Sequence, residues 1–250
     1  MLQSIRVLII TTIVSTMAFA DVFMTELADP NNSASSRFIE LYNNGDSDVD
    51  LSSYKIRRYT NANTDFTGSS EKSLEGTIVA GGFRILCKSS STFDATFSGI
   101  STCDQQISSG GALDSNGDDK MEIVDGDGNT VDIYGVPGED VNNSTGDSNF
   151  EDGRAARNSG VCSGASSFDY SEWTIDNDQS SGNGSAVDAP GGYNPGSWAG
   201  SSFDCSGGAA TCDDATACNN GAIGDCEYVN VGWGNLQWPF STTVDAESDS

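Results

Sequence analysis

The chain of 250 residues carries 37 acidic against 11 basic side chains, no histidine and a formal charge of -26. That balance excludes a surface held to phosphate backbones by Lys and Arg, which needs a basic face, and suits solubility in salt, divalent cations or basic partners. Without histidine, Ser-His-Asp and Cys-His catalysis and the histidine-bearing metal centres are excluded within the chain.

Residues 1–20 read as a secretory signal peptide: Arg6, an apolar run over 7–14, then small and polar residues ending at Ala18, Phe19 and Ala20. The apolar run is far shorter than the roughly 20 residues that span a bilayer, and no later segment approaches that length. A secreted, extracellular chain without a membrane span is therefore expected from Asp21 onward. About 230 residues then remain, enough for two small domains or one decorated β-sandwich.

From 22 to about 173 the sequence is a series of short β-prone runs separated by Gly, Asn, Asp and Ser, with almost no helical periodicity. Strands are expected over 22–27 and 37–43; in the second, Ile39 and Leu41 face one side while Phe38, Glu40 and Tyr42 face the other. A turn over 43–46 leads to strands at 54–59, 77–79 and 83–88, the last alternating Phe83, Ile85 and Cys87 with Arg84, Leu86 and Lys88. Such alternation predicts half-buried strands. The clearest hairpin pairs 121–124 with 130–134 across Asp125-Gly126-Asp127-Gly128-Asn129, whose residues tolerate positive φ. A long polar loop is expected over 138–153, a closing strand at 173–175, a Gly/Ser/Pro-rich linker over 178–204, a Cys-rich motif over 205–228 and an acidic disordered tail within 229–250. Spaced short strands with turn signals describe an all-β sandwich with a disulfide-rich C-terminal appendix.

Seven cysteines in an exported chain read as a disulfide framework with one thiol left over, which leaves a covalent dimer open. Connectivity does not follow from sequence, although Cys87 with Cys103 and Cys212 with Cys226 are the expected pairs. Metal binding by these cysteines is the weaker reading, because the chain has neither CxxC nor His.

Three constellations carry possible chemistry. Asp114, Asn116 and Asp118 have the alternating oxygen spacing of a calcium loop, with Asp125 at the twelfth position. Position six, however, is Asp119 where such a loop needs glycine, flanking helices are absent, and turn formation alone explains these residues. Glu26 and Glu40 lie on neighbouring strands, and two carboxyls are all that a glycosidase requires; polar pairing at a sheet rim is the simpler account. Lys55, Arg57 and Arg58 are the one basic cluster. Asn31, Asn142, Asn143 and Asn183 open Asn-x-Ser/Thr triplets that a eukaryotic host would glycosylate. Trp198, Trp233 and Trp238 either stack on a ligand or pack back onto the sandwich, which is the expected role.

The stretches Val22-Phe23-Met24-Thr25-Glu26-Leu27, Arg37-Phe38-Ile39-Glu40-Leu41-Tyr42-Asn43-Asn44-Gly45 and Val49-Asp50-Leu51-Ser52-Ser53-Tyr54 resemble the opening of the lamin-tail domain. Residues 76–83, then 116–123 with 128–132, are similar to its later strand pair and final hairpin, and 154–157 with 168–173 complete the likeness over roughly 22–176. The resemblance implies an immunoglobulin-like sandwich of the bacterial secreted type, found beside catalytic or binding modules in proteins of marine and soil bacteria. It implies no catalysis here, since 177–250 are too few and too Gly/Ser-rich to form a nuclease. Cys212-Asp213-Asp214-Ala215-Thr216-Ala217-Cys218-Asn219 with Cys226-Glu227-Tyr228 resembles short motifs of secreted proteins from marine microbes. The expected function is a non-enzymatic binding or structural module at a cell surface, in a matrix or in adhesion, possible calcium assistance included, with a protein or glycan partner and no firm cofactor. The alternatives are an accessory subunit that positions DNA for a secreted nuclease or phosphodiesterase through the Lys55 to Arg58 strand, and an acidic mineral-associated protein.

Overall fold

The computed structural model describes residues 22–108, 110–141, 148–176 and 185–202. The expected signal peptide, the motif over 205–228 with Cys212 and Cys226, the acidic tail, Trp233 and Trp238, and the triplets at Asn142, Asn143 and Asn183 lie outside the described residues. The chain divides into two compact units, Met1–Phe203 and Asp204–Ser250; everything described belongs to the first.

The strands, in chain order, are β1 (Val22–Ala28), β2 (Phe38–Asn43), β3 (Val49–Asp50), β4 (Lys55–Tyr59), β5 (Glu71–Ser73), β6 (Thr77–Ile78) and β7 (Phe83–Cys87). A short helix, α1 (Ser90–Thr96), precedes β8 (Gln105–Gln106), β9 (Lys120–Val124), β10 (Thr130–Tyr134), β11 (Arg154–Arg157) and β12 (Trp173–Asp176). One sheet runs β12-β11-β1-β2-β7-β8, a second runs β10-β9-β4-β5, and β3 pairs with β6. The result is an all-β, immunoglobulin-like sandwich. Its core is built from the inward faces of both sheets: Met24, Leu27, Ile39, Leu41 and Leu86 from the first meet Ile56, Met121 and Ile123 from the second. The inward residues follow the period-2 alternation of their strands, except in β1, where a register shift between Met24 and Glu26 brings both Met24 and Leu27 inward.

Alternation predicts half-buried strands, yet every residue of β1 and β2 is buried. The outward face is covered as well. Phe38 meets Phe93 and Phe97 of the helical turn at 5.5 and 5.4 Å and Tyr193 at 6.1 Å between ring centroids. Trp198 meets Phe23 at 5.5 Å and Tyr42 at 5.3 Å, the packing role expected for it. Residues 185–202, where a linker is expected, are thus a strap laid over the sheet. Its backbone is tied down by Val187 N–H donating to Asp152 O (2.8 Å), Asn31 N–H to Val187 O (3.0 Å), and Asn32 Nδ2 to Ala189 O (2.8 Å). Gly, Pro and Asn give a chain the turns of a linker, but the same turns let it follow a surface once aromatic side chains anchor it.

Two covalent and ionic features fix this arrangement. Cys87 at the end of β7 is bonded to Cys103 across a sequence separation of 16, and closing a loop of that size contributes roughly 3 kcal/mol in the chain-entropy account; Cys162 is also disulfide-bonded. Inside the sandwich, Arg157 Nη2 lies 2.8 Å from both oxygens of Asp132, Met24 N–H donates to Asp132 Oδ2 at 2.8 Å, and the guanidinium stacks 4.3 Å over Trp173. That one pair ties β1, β10, β11 and β12 together.

Candidate functional site

β1 and β2 bring two carboxyls together. The register shifts between Met24 and Glu26, so that Glu26 becomes the Cα partner of Glu40 while Thr25 is left as the extra residue of a bulge. Bulges re-aim side chains, and here the shift turns Thr25, Glu26 and Glu40 to the outward face. Thr25 Oγ1 donates to Glu40 Oε1 at 2.6 Å, Gly196 N–H to Glu40 Oε2 at 2.5 Å, and Arg154 Nη1 to Glu26 Oε1 at 3.3 Å. Burial pushes Glu26 up to about 8, with the neighbouring Glu40 adding to the rise and Arg154 opposing it. Burial likewise pushes Glu40 up to about 7 against the donors Thr25, Gly196 and Ser197. The strap closes over them, leaving a cavity of about 20 Å³ beside Asn194, Ser197 and Trp198. That space takes one water and no sugar ring.

Asp114 and Asp125 of the expected calcium loop are each engaged by protein groups. Asp114 pairs with Lys88 at 2.6 Å and accepts from Gly110 N–H at 3.3 Å. Asp125 takes the N–H groups of Asp127 (2.9 Å) and Asn129 (2.8 Å) and the Asn129 amide (2.9 Å), which is turn duty. Asp119, at the position where glycine is needed, goes to Arg58 (3.0 Å) and to Asn61 N–H (2.9 Å). Asp118 is half-buried and raised by desolvation, then by Asp119. Gly117 holds a φ of 99°, and a Cβ there would run into the backbone of Glu151, so Asn116 and Asp118 flank a turn pressed against another segment. Among the described residues no group of three or more His, Cys, Asp or Glu is placed to hold a metal ion.

A cation is nevertheless present, supplied by the chain. Lys120 is fully buried, and its Nζ donates to the carbonyls of Asn61 (2.8 Å), Asp118 (3.0 Å) and Glu139 (2.6 Å). Three separate segments are gathered on one ammonium. Sequence reasoning missed it, because a lysine between Asp119 and Met121 looks like a solvated strand end.

The basic strand is neutralised within its own sheet. Lys55 and Arg57 both pair with Glu71, at 2.9 and 2.8 Å, Arg57 reaches Glu122 at 3.4 Å, and Arg58 pairs with Asp119. Little charge is left over to meet a phosphate backbone.

The edge strands β5 and β8 frame an open groove of about 470 Å³ lined by Lys72, Ser73, Glu75, Gln105, Gln106 and Ser108. Gln105 bridges the two sheets there, its Nε2 donating to Ser73 O and its Oε1 accepting from Glu75 N–H, each at 3.0 Å. No β-branched run or alternation marks 105–108, so the sequence gives no sign of this edge. No helix among the described residues is long and apolar enough to cross a membrane.

Residues 15–138 match the family model of the Lamin Tail Domain, and no curated protein matches the chain. The match ends just after β10; β11 and β12 lie beyond it and still pair onto β1.

Proposed function

From the premise that this chain carries a lamin tail domain, we propose that it is an exported, non-catalytic binding module whose partner is a basic protein segment outside the cell. The observation that carries this reading is the contrast between two concave sites: the acid pair is sealed under the strap with room for one water, whereas the groove between β5 and β8 is open. Exposed sheet edges offer backbone groups to an extended peptide, and the polar side chains beside them supply selectivity. A chain of charge -26 favours a basic partner. The Cys87–Cys103 bond supports an oxidising, extracellular location, which export to the medium with both thiols blocked would verify.

The test uses oxidised protein. Binding of a lysine-rich extended peptide is measured against salt, beside assays for glycoside and nucleic-acid hydrolysis. Salt-sensitive peptide binding that is weakened by Gln105→Pro, with both hydrolysis assays flat, supports the reading. Turnover of either polymer would overturn it, and salt-sensitive DNA binding without turnover would transfer the assignment to nucleic-acid positioning.

A further inference from the structure

The outward carboxyls of β1 and β2 are met from three sides. From the sheet come Thr25 and the single guanidinium of Arg154, which is shared with Asp176 at 2.9 Å. From the strap come backbone N–H groups: Gly196 and Ser197 toward Glu40, and Asn194 toward Glu26. Over the top lies the indole of Trp198, whose Nε1 donates to Arg157 O at 2.7 Å. Tyr193 turns its hydroxyl elsewhere, to Gly153 O and Val187 O, and Asp29 is held by Arg37.

The two carboxyls are therefore unequal. Both oxygens of Glu40 have donors, so it can carry a charge where it lies. Glu26 Oε2 is buried without a hydrogen-bond partner. When both acids are ionised, Glu26 has only Arg154, which it shares with Asp176, to set against its own charge and that of the neighbouring Glu40, in a space that admits a single water, and such a state is relieved by letting water in.

We propose that residues 193–198 are a pH-gated latch on this sheet: while Glu26 keeps its proton the strap is closed over β1 and β2, and loss of that proton opens it, uncovering Phe23 and Tyr42 beneath Trp198. The strap is the element that yields, because the sheet around it is held by full ladders, whereas the strap joins no ladder and is held here by the ring packing of Tyr193 and Trp198 and by single hydrogen bonds to the carboxyls, Arg154 and Arg157. The raised titration of Glu26 to about 8 places the switch where an extracellular module meets mildly alkaline surroundings.

The experiment is amide hydrogen exchange on the full oxidised chain from about pH 5 to about pH 9, corrected for intrinsic base catalysis. Protection at Gly196 and Ser197 is expected to fall by about tenfold per pH unit once Glu26 titrates, since each unit changes the ratio of its two forms tenfold. Protection in β4 and β9 should stay level, and Glu26→Gln, which keeps the acceptor facing Arg154, should flatten the strap profile. Three results would each overturn the proposal: pH-independent protection in the parent chain, the same fall in Glu26→Gln, or a parallel fall in β4 and β9 that signals global unfolding. Should the variant not fold, carboxyl carbon titration of the parent decides, because a Glu26 that titrates in the ordinary carboxylate range leaves nothing to gate.

Discussion

Single residues carry unusual weight here because the polar groups inside the sandwich are few and shared. Lys120 gathers three carbonyls from three segments, and removing its ammonium takes the donor from all of them at once. Lys120→Met is expected to lower the unfolding free energy by about 3 kcal/mol or more, at roughly 1 kcal/mol or more per orphaned acceptor. Lys72→Met, at the rim of the groove, should change it by less than about 0.5 kcal/mol; urea titrations of the two variants check the contrast. Asp132 poses a sharper case. Its partner Arg157 is about as buried as it is and would keep only the partly exposed Glu172 at 3.0 Å, so Asp132→Ala leaves a buried charge poorly compensated and the N–H groups of Met24 and Ala165 without their acceptor; it should cost about 3 to 5 kcal/mol, whereas an apolar replacement of both partners should recover part of the loss. Recovery in the double variant, measured by the same titrations, separates the penalty of an unpaired charge from the worth of the pair.

At the scale of elements, turns and straps organise the polar ends. The β9–β10 turn is closed by the Asp125 carboxylate, which three donors hold below the ordinary carboxylate range. Because that carboxylate is committed and Asp114 is paired with Lys88, adding calcium should leave the thermal midpoint where chelator leaves it. A site filled at 100 times its Kd would add about 2.7 kcal/mol and move the transition visibly, so a clear rise would restore the calcium reading. The strap makes a second prediction. Trp198→Ala removes an indole packed on Phe23 and Tyr42 and is expected to cost about 3 to 5 kcal/mol, with exchange rising first at Gly196 and Ser197. The sequence made β1, β2, β4, β7 and the β9–β10 hairpin legible because each is a short run rich in β-branched, aromatic or other large apolar residues between turn residues, with alternation clearest in β7 and β9. It hid α1, whose Ser and Thr are weak helix formers and whose one apolar stripe is Phe93 and Phe97. It hid β8 and β11 for the opposite reason: Gln105, Gln106, Ala155 and Ala156 carry little strand preference, and pairing alone makes them strands. The Glu26 and Glu40 pair was visible as two acids on neighbouring strands; that a bulge would face them together under a strap was not, since both depend on contacts from 154–157 and 185–202.

The whole molecule responds to pH through two opposed sets of carboxyls. Glu71, Asp114, Asp125 and Asp169 are held low by hydrogen bonds and ion pairs. Their contribution is present above the ordinary carboxylate range and is lost as pH falls through their lowered values. Glu26 and Glu40 are raised, to about 8 and about 7, chiefly by burial, and Asp29 and Asp132 are raised in the same direction for the same reason. A raised carboxyl holds its proton in the folded chain after the unfolded chain has released it. Its contribution is therefore complete below the unfolded value of 4.5 for Glu and decays as pH climbs through 7 and 8. The thermal midpoint should consequently peak in mildly acidic solution, fall on the acid side where the lowered set protonates, and fall again toward alkaline pH as the raised pair loses its protons. The net charge of -26 acts in the alkaline direction as well, through self-repulsion that salt screens. Salt thus separates the two causes: added salt should flatten the part due to net charge and leave the part due to Glu26 and Glu40, which lie out of reach of ions. Midpoints measured across pH at low and high salt, with Glu26→Gln beside the parent, would show an alkaline decline that persists in salt and is shallower in the variant, where Glu40 still titrates. A decline that salt abolishes in both chains would instead assign the alkaline limb to the surface, and the buried pair would have no hold on the stability of the fold.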